Sequence, residues 1–304
     1  MGFVKVDSVT KSYGDLLALN NISFEIDRGE IVGYLGPNGS GKTTTLQTIT
    51  DLIHYDDGHV FINNYEVKNN QKKNISVVFD SNGLYPRLSV EENLEFFCRL
   101  KGFDKKKRVD IINYYLNEFQ LESRRHSIVK KLSKGMQRKL TIARALLFEP
   151  ELLLLDEPFD GIDIESRERI LKMIKEISKQ RNIAVFLTSH VMADIEELAD
   201  RIIIINKGSI IKNESRVDLM QESIVSYIHI KLGGEYEETY LRRIFNDLVE
   251  VQQMSFNMDE VILSLSKDQK LDIPSILFQN SIKFEEIYTT QQNLTETYLS
   301  YIKK

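Results

Sequence analysis

One cysteine, Cys98, stands among the 304 residues, so no intramolecular disulfide staples the chain and an ordinary core must hold it. Cys98 lies in a run with Val90, Leu94 and Phe97 at helical spacing. It is expected to be a buried structural thiol rather than a nucleophile. No run of about 18 apolar residues is present, so no segment is expected to cross a membrane as a helix. The stretches 152–155 and 202–205 are four-residue runs closed by polar residues, the pattern of buried strands. The N-terminal MGFVKVDSVTKSYG has no apolar signal core, and the expected location is the cytosol, with any membrane role exerted through a partner. A basic excess is missing too. A net charge of -5 argues against a chain whose main task is coating nucleic acid or an acidic bilayer. What is there is ordinary for a globular protein: 42% hydrophobic and 28% charged residues, enough for one large domain and a small one.

Short apolar stretches separated by turns fill residues 3–35: FVKVDSV, LNNISFEI and then EIVGYL, which runs into a glycine-rich loop. They read as strands, the last buried and feeding a helix, TTTLQTITDLI. DDGHVFINN and ISVVF, at 75–79, add two more strands. Between about 88 and 148 the pattern is helical. Ser89 precedes Glu92 by three residues, a capping-box spacing, and Val109, Ile112, Leu116 and Phe119 are expected on one buried face. From residue 150 the alternation resumes with ELLLLDEP, a helix over 165–180, NIAVFLTSH, a short helix and RIIIINKGSII. It predicts an α/β domain over residues 1–218, with a mainly parallel sheet and a helical subdomain inserted at about 88–148. After the polar, helix-capable NESRVDLMQES, the order is β-α-β-β-α-β and a last helix. That is the pattern of a small ferredoxin-like α+β domain over 219–304.

Three motifs carry chemistry. GPNGSGKT, comprising Gly36, Pro37, Asn38, Gly39, Ser40, Gly41, Lys42 and Thr43, matches the phosphate-loop pattern G-x-x-x-x-G-K-S/T and is followed by Thr44. Glycines let the backbone curl so that several N–H groups point inward, and the next helix adds its positive end. Lys42 can reach the β- and γ-phosphates, and the Thr43 hydroxyl can ligate magnesium. A chance match would arise in roughly one sequence in a hundred of this length. ELLLLDEP ends a buried strand in Asp156, placed to hold magnesium through water, and in Glu157, a candidate general base. Taken alone it is a strand leaving the core; downstream of a phosphate loop it reads as a site. LSKGMQRKL sets Ser133, Lys134, Gly135 and Met136 at the start of a helix, where a hydroxyl and a bare N–H can meet an anion. In isolation that segment is only a well-capped helix.

These three motifs, in the chain order GPNGSGKT, LSKGM and ELLLLDEP with a helical insert carrying the middle one, resemble the nucleotide-binding subunits of ATP-binding cassette (ABC) transporters over residues 3 to about 218. The resemblance implies the P-loop NTPase cassette fold, ATP and Mg2+ as ligands, and ATP hydrolysis. It implies that Tyr13 stacks on adenine, that residues 36–44 bind the phosphates, and that Lys42, Glu157 and His190 are catalytic. Thr43, Asp156 and Asp80 are then the metal positions. Asp163, in FDGID, matches a loop aspartate that couples two subunits, and Ser133, Lys134, Gly135 and Met136 act on the nucleotide of a second subunit. Without that likeness, Tyr13 could be an exposed strand-end aromatic and His190 a structural histidine. Two departures stand out: Asp80 occupies the place of a usual glutamine, and the signature reads LSKGM where LSGGQ is commoner.

The implied partners are a second copy or a paralogous subunit, and a separate integral-membrane permease that brings the chain to the cytoplasmic face of the membrane. The stretch NGLYPRLSVEENL and the C-terminal extension look like those of exporters of drugs, peptide antibiotics or other amphiphiles. The alternative is a soluble relative acting on ribosomes or nucleic acid. Such relatives carry two cassettes, long heptad inserts or zinc cysteines, and none is found here, so no nucleic acid partner is expected. A GTPase or kinase is disfavoured, since no N-K-x-D guanine-reading motif is present.

Overall fold

The computed structural model describes residues 2–69, 74–79, 83–222, 226–246, 251–257, 260–265, 272–291 and 294–302. The chain divides into two compact units, Met1–Arg216 and Val217–Lys304. The first opens with β1 (Val4–Tyr13), β2 (Leu16–Ile26), β3 (Ile31–Leu35), α1 (Lys42–Ile49), β4 (Asp57–Ile62), β5 (Tyr65–Glu66) and β6 (Ile75–Val78). Three helices follow: α2 (Val90–Leu100), α3 (Lys105–Glu118) and α4 (Lys134–Leu147). The chain returns to alternation through β7 (Leu152–Asp156), α5 (Ile164–Arg181), β8 (Ala184–Ser189), α6 (Met192–Leu198), β9 (Arg201–Asn206) and β10 (Ser209–Ser215).

Every residue of β3, β7 and β8 is buried. Strands covered on both faces are those of a parallel sheet under helices, and these three sit inside a six-stranded sheet of order β10-β9-β3-β8-β7-β6. Its pairings are parallel except β9 with β10. The mainly parallel sheet expected from the alternation does not take in the other N-terminal strands. β1, β2, β4 and β5 form a separate antiparallel sheet of order β2-β1-β4-β5. The physical reason is visible in the side chains: β2 runs buried–exposed–buried through Ile22 to Ile26, so only one face can meet a core. That face lays Phe24 on Phe186 of β8, stacked at 5.5 Å, with Tyr34 of β3 5.0 Å from Phe186.

In the helical stretch, the capping box forms. The Glu92 N–H donates to Ser89 Oγ (3.2 Å) and the Ser89 N–H to Glu92 Oε2 (2.7 Å). Cys98 is fully buried, and burial pushes its thiol up to about 11, consistent with a packing role. The face of α3 differs from expectation. Ile112, Leu116 and Phe119 are buried with Tyr115, but Val109 is exposed. Arg108 takes the inward place at that level, donating to Glu95 (3.0 Å) and to the Phe103 carbonyl (2.8 Å). A stripe through 108, 112, 115 and 119 fits the helical period better than one through 109.

The second unit begins within α7 (Arg216–Glu222) and continues with β11 (Ser226–Leu232), α8 (Glu238–Asn246), β12 (Val251–Asn257), β13 (Glu260–Leu265), α9 (Ile273–Gln279), β14 (Phe284–Gln291) and α10 (Leu294–Ile302). Its sheet, β12-β13-β11-β14, is antiparallel throughout. Alternate residues Ile228, Ile230, Val261 and Leu263 form one buried face with Leu241 and Phe245 of α8 and Leu277 of α9. The β-α-β-β-α-β order with the first and third strands central is the split arrangement.

The aromatic contact between the two sheets of the first unit should be worth measuring. Phe186→Ala should cost about 3–5 kcal/mol in chemical denaturation. A loss under about 1 kcal/mol would mean that the two sheets are held mainly by something else.

Candidate functional site

Parallel pairing decides where the functional groups meet. β3, β8 and β7 are neighbours in register: Tyr34 stands beside Thr188, and Thr188 beside Asp156. Their C-terminal ends therefore open on one sheet edge, the place where open α/β sheets bind ligands. Residue 36 starts the loop there, residues 156 and 157 end β7, and His190 follows β8 directly.

The loop between β3 and α1 is shaped by close approach. Gly41 has φ 108°, and a β-carbon there would lie 2.6 Å from the Ala18 carbonyl, so glycine is required. Lys42, buried at the first position of α1, donates to the carbonyls of Gly36 (2.7 Å) and Pro37 (3.2 Å), and pairs with Glu157 Oε1 at 3.2 Å. Thr43 donates its hydroxyl to Asp156 Oδ2 (2.9 Å), while Thr188 donates to Asp156 Oδ1 (2.6 Å). The buried Asp156 carboxylate thus joins the loop helix to β8. Beneath the loop the buried Ser40 hydroxyl has no protein partner among the described residues.

Glu157 carries φ 46°, the left-handed region, which costs a non-glycine residue about 1–2 kcal/mol. The turn puts its Oε2 at 2.9 Å from His190 Nδ1 and 3.3 Å from the His190 N–H. Asp160 lies close by, its carboxylate within 4.8 Å of the Glu157 and His190 groups. Partial burial, then the Glu157 charge, pushes the Asp160 carboxyl above the usual range.

A cavity of about 610 Å³ opens over this edge and is lined by Tyr13, Ala18, Asn38, Gly39, Gly41 and residues 42–44, with Asp156, Glu157 and Asp160. Tyr13, exposed at the end of β1, forms part of its rim. Ser133, Lys134, Gly135 and Met136 do not line it. Ser133 caps α4, accepting from the Met136 N–H at 3.2 Å. Gly135 faces the next segment closely: a β-carbon would run into the Gly161 carbonyl. Asp163 caps α5, accepting from the Ser166 N–H at 2.9 Å, and that contact holds its carboxyl below the usual range. It also pairs with Lys139 at 3.5 Å. Asp80 lies outside the described residues.

Sequence reading missed three contributors. Thr188 is hidden in LTSH, where a threonine before a strand end reads as plain sheet. Asp160 sits inside FDGID, whose second aspartate drew the attention. Arg138, in the helix after the signature, is buried against the carbonyls of Phe79 (2.8 Å) and Glu157 (2.6 Å). None of these has a sequence signal beyond its nearness to a motif.

The profile of the ABC transporter family matches residues 19–160. The linearmycin resistance ATP-binding protein LnrL of Bacillus subtilis is 35% identical, over 76% of this chain and 72% of its own. The bacitracin transport ATP-binding protein BcrA of Bacillus licheniformis is 29% identical over 98% of this chain and 97% of its own. Subunits named for import are similar as well, at 27%, 32% and 35% identity. Among solved structures, a dimeric ATP-binding cassette in a post-hydrolysis state with ADP and Pi superposes with a TM-score of 0.65 at 29% identity, covering 70% of this chain and 98% of that one.

The contact at Gly135 yields a test of local packing. Gly135→Ala should lower stability by about 1–3 kcal/mol in thermal or chemical unfolding, because backbone rather than a flexible side chain must give way. An unchanged midpoint would mean that the residues around Gly161 move aside at no cost.

Proposed function

This chain belongs to the ABC transporter family and is an ATPase of that family, and on that premise we propose that it drives a separate membrane permease that exports drugs, peptide antibiotics or other amphiphiles. The observation that carries the catalytic part is the meeting of Lys42, Glu157 and His190 beside the loop at one sheet edge. The export part is supported by likeness to a bacitracin transport subunit along 98% of the chain, which takes in the second unit. No helix among the described residues is long and apolar enough to cross a membrane; the proposed permease is a separate chain, and the subunit works at the cytoplasmic face through it.

ATP occupies the cavity with its phosphates on residues 36–44 and its adenine on Tyr13, a stack worth about 1–3 kcal/mol. The Lys42 ammonium, on the cavity wall, fits a polyanion. A hydroxyl from Thr43 beside the Asp156 carboxylate fits Mg2+, a hard cation that takes oxygen ligands. When bound, the ion neutralises charge on the β- and γ-oxygens. Glu157 polarises the attacking water, and its Oε2 is held in place by both donors of His190. Lys42 swings from the loop carbonyls to the γ-phosphate, since its stem is flexible and its head carries three donors.

Two subunits, either two copies or a copy and a paralogue, close head to tail. Ser133, Lys134, Gly135 and Met136 meet the partner's ATP, a reading supported by their position off their own cavity and by the dimeric relative. Asp163 lies at the junction and couples the two sites. Lys134 adds a positive charge where the family more often has glycine.

Two substitutions test this assignment. Glu157→Gln should keep ATP affinity, lower turnover by at least about 100-fold, and trap an ATP-bound dimer on size exclusion; near-normal turnover would remove Glu157 as the base. Lys42→Ala should weaken ATP binding about tenfold or more in a titration. An unchanged Kd would contradict the phosphate-loop role.

A further inference from the structure

The helix that bears Ser133 also reaches the hydrolytic edge of its own chain. Arg138, one turn into α4 and buried, donates to four main-chain carbonyls: Phe79 (2.8 Å), Pro158 (3.3 Å), Glu157 (2.6 Å) and Asp156. Phe79 directly follows β6, and the other three carbonyls belong to the last residue of β7 and the two after it. β6 and β7 are parallel neighbours whose mutual pairing ends at Val78 and Leu155, so the Phe79 carbonyl and those of residues 156–158 lie beyond it. Buried carbonyls there need donors from elsewhere. A planar guanidinium with five fixed N–H groups is the side chain suited to several acceptors at once.

These carbonyls flank the left-handed residue of the site. Glu157, at φ 46°, turns its carboxylate toward Lys42 and His190 only because the chain twists there. A backbone held in a sparsely populated region persists when its surroundings fix it. The hydrogen bonds to the peptides on both sides of Glu157 Cα are of that kind.

We propose that Arg138 is a positioning residue for hydrolysis, fixing through the carbonyls of Phe79 and residues 156–158 the turn that aims Glu157. The inference rests on Glu157 being the base of the proposed function. It also joins two roles in one helix. Along α4, Gly135 packs on Gly161, Arg138 holds residues 156–158, and Lys139 donates to Ser166 Oγ (2.5 Å) beside Asp163. The segment that meets the partner's nucleotide and the base that serves the chain's own are therefore carried on one braced unit.

The test uses the full chain with Arg138→Gln and Arg138→Lys, each alone and in a Glu157→Gln background. ATP turnover, ATP affinity by titration and thermal unfolding are all measured. Arg138→Gln should lower kcat by about 10- to 100-fold while the Kd for ATP stays within about threefold. Arg138→Lys, keeping the charge without the fork, should recover part of kcat. With Glu157→Gln already present, Arg138→Gln should change the residual rate by less than about twofold, since a residue acting through the base has nothing left to position. Should Arg138→Gln fail to fold, Arg138→Lys at near-normal melting temperature must still lower kcat by about fivefold or more. Unchanged kcat overturns the proposal, as does a loss that tracks ATP affinity or multiplies with Glu157→Gln. If the wild-type chain binds ATP but shows no turnover, the proposed function falls and this inference with it. Wild-type turnover that is indifferent to Arg138 sinks only the inference.

Discussion

The buried Asp156 carboxylate is the constraint on which the site depends. Its two oxygens are taken by hydroxyls from different elements, Thr43 at the start of α1 and Thr188 in β8. Hydrogen bonds to a charged group contribute about 1.5–3 kcal/mol each, and they offset the cost of holding a carboxylate at 4% exposure. The bonds also set geometry. One fixes α1, and hence the loop, against the end of β7; the other fixes β8, so that His190 emerges next to Glu157. Parallel register supplies the approach, because Asp156 and Thr188 are cross-strand partners. The loop, Glu157 and His190 are thus positioned by one acidic residue and the pairing around it.

The second constraint is α4. Its N-terminal turn is capped by Ser133, and its inward face is unusually polar for a buried helix face: Arg138 and Lys139 are both nearly covered. Buried cations demand partners, and these find carbonyls, a hydroxyl and the Asp163 carboxylate on the segment from 156 to 166. The glycine at 135 has a local reason within one chain, the close approach of Gly161, besides its proposed part in meeting a partner's phosphate. A substitution there therefore perturbs packing as well as any contact in trans.

What could be read from the sequence was what is local. The phosphate loop, the strand ending in Asp156 and Glu157, and the cap at Ser133 each depend on consecutive residues, so pattern and chemistry suffice. The capping box at Ser89 and Glu92 and the two-period alternation in β11 and β13 were legible for the same reason. The antiparallel character of β1 and β2 was missed although the alternation is in the sequence, because short apolar stretches do not declare their pairing partners. Val109 was placed on the buried face because it is apolar. Arg108 won that place through Glu95 and the Phe103 carbonyl, partners distant enough in the chain to leave no pattern. Arg138 is hidden more deeply still: an arginine in an amphipathic helix reads as solvated, and its acceptors are main-chain carbonyls, which no side-chain motif records. Tyr13 and His190 are singled out by the resemblance alone, since an exposed tyrosine and a histidine at a strand end carry no chemistry by spacing.

On the proposed function, the placement of these groups makes hydrolysis conditional. One chain brings together Lys42, Glu157, His190 and the Asp156 hydroxyl pair, but Ser133 to Met136 lie off that cavity. With Ser133 to Met136 meeting a partner's nucleotide as proposed, each cavity is completed by a facing subunit, while the helix holding those residues is bonded through Arg138 to the turn that bears Glu157. A partner closing on Ser133 loads α4 at one end, and the carbonyls of residues 156–158 hang from the same helix one turn further on. Because the interior between them is close-packed, a displacement at the cap has little room to dissipate before it reaches Glu157. Under the proposed function, closure on Ser133 and alignment of Glu157 therefore act through the same helix.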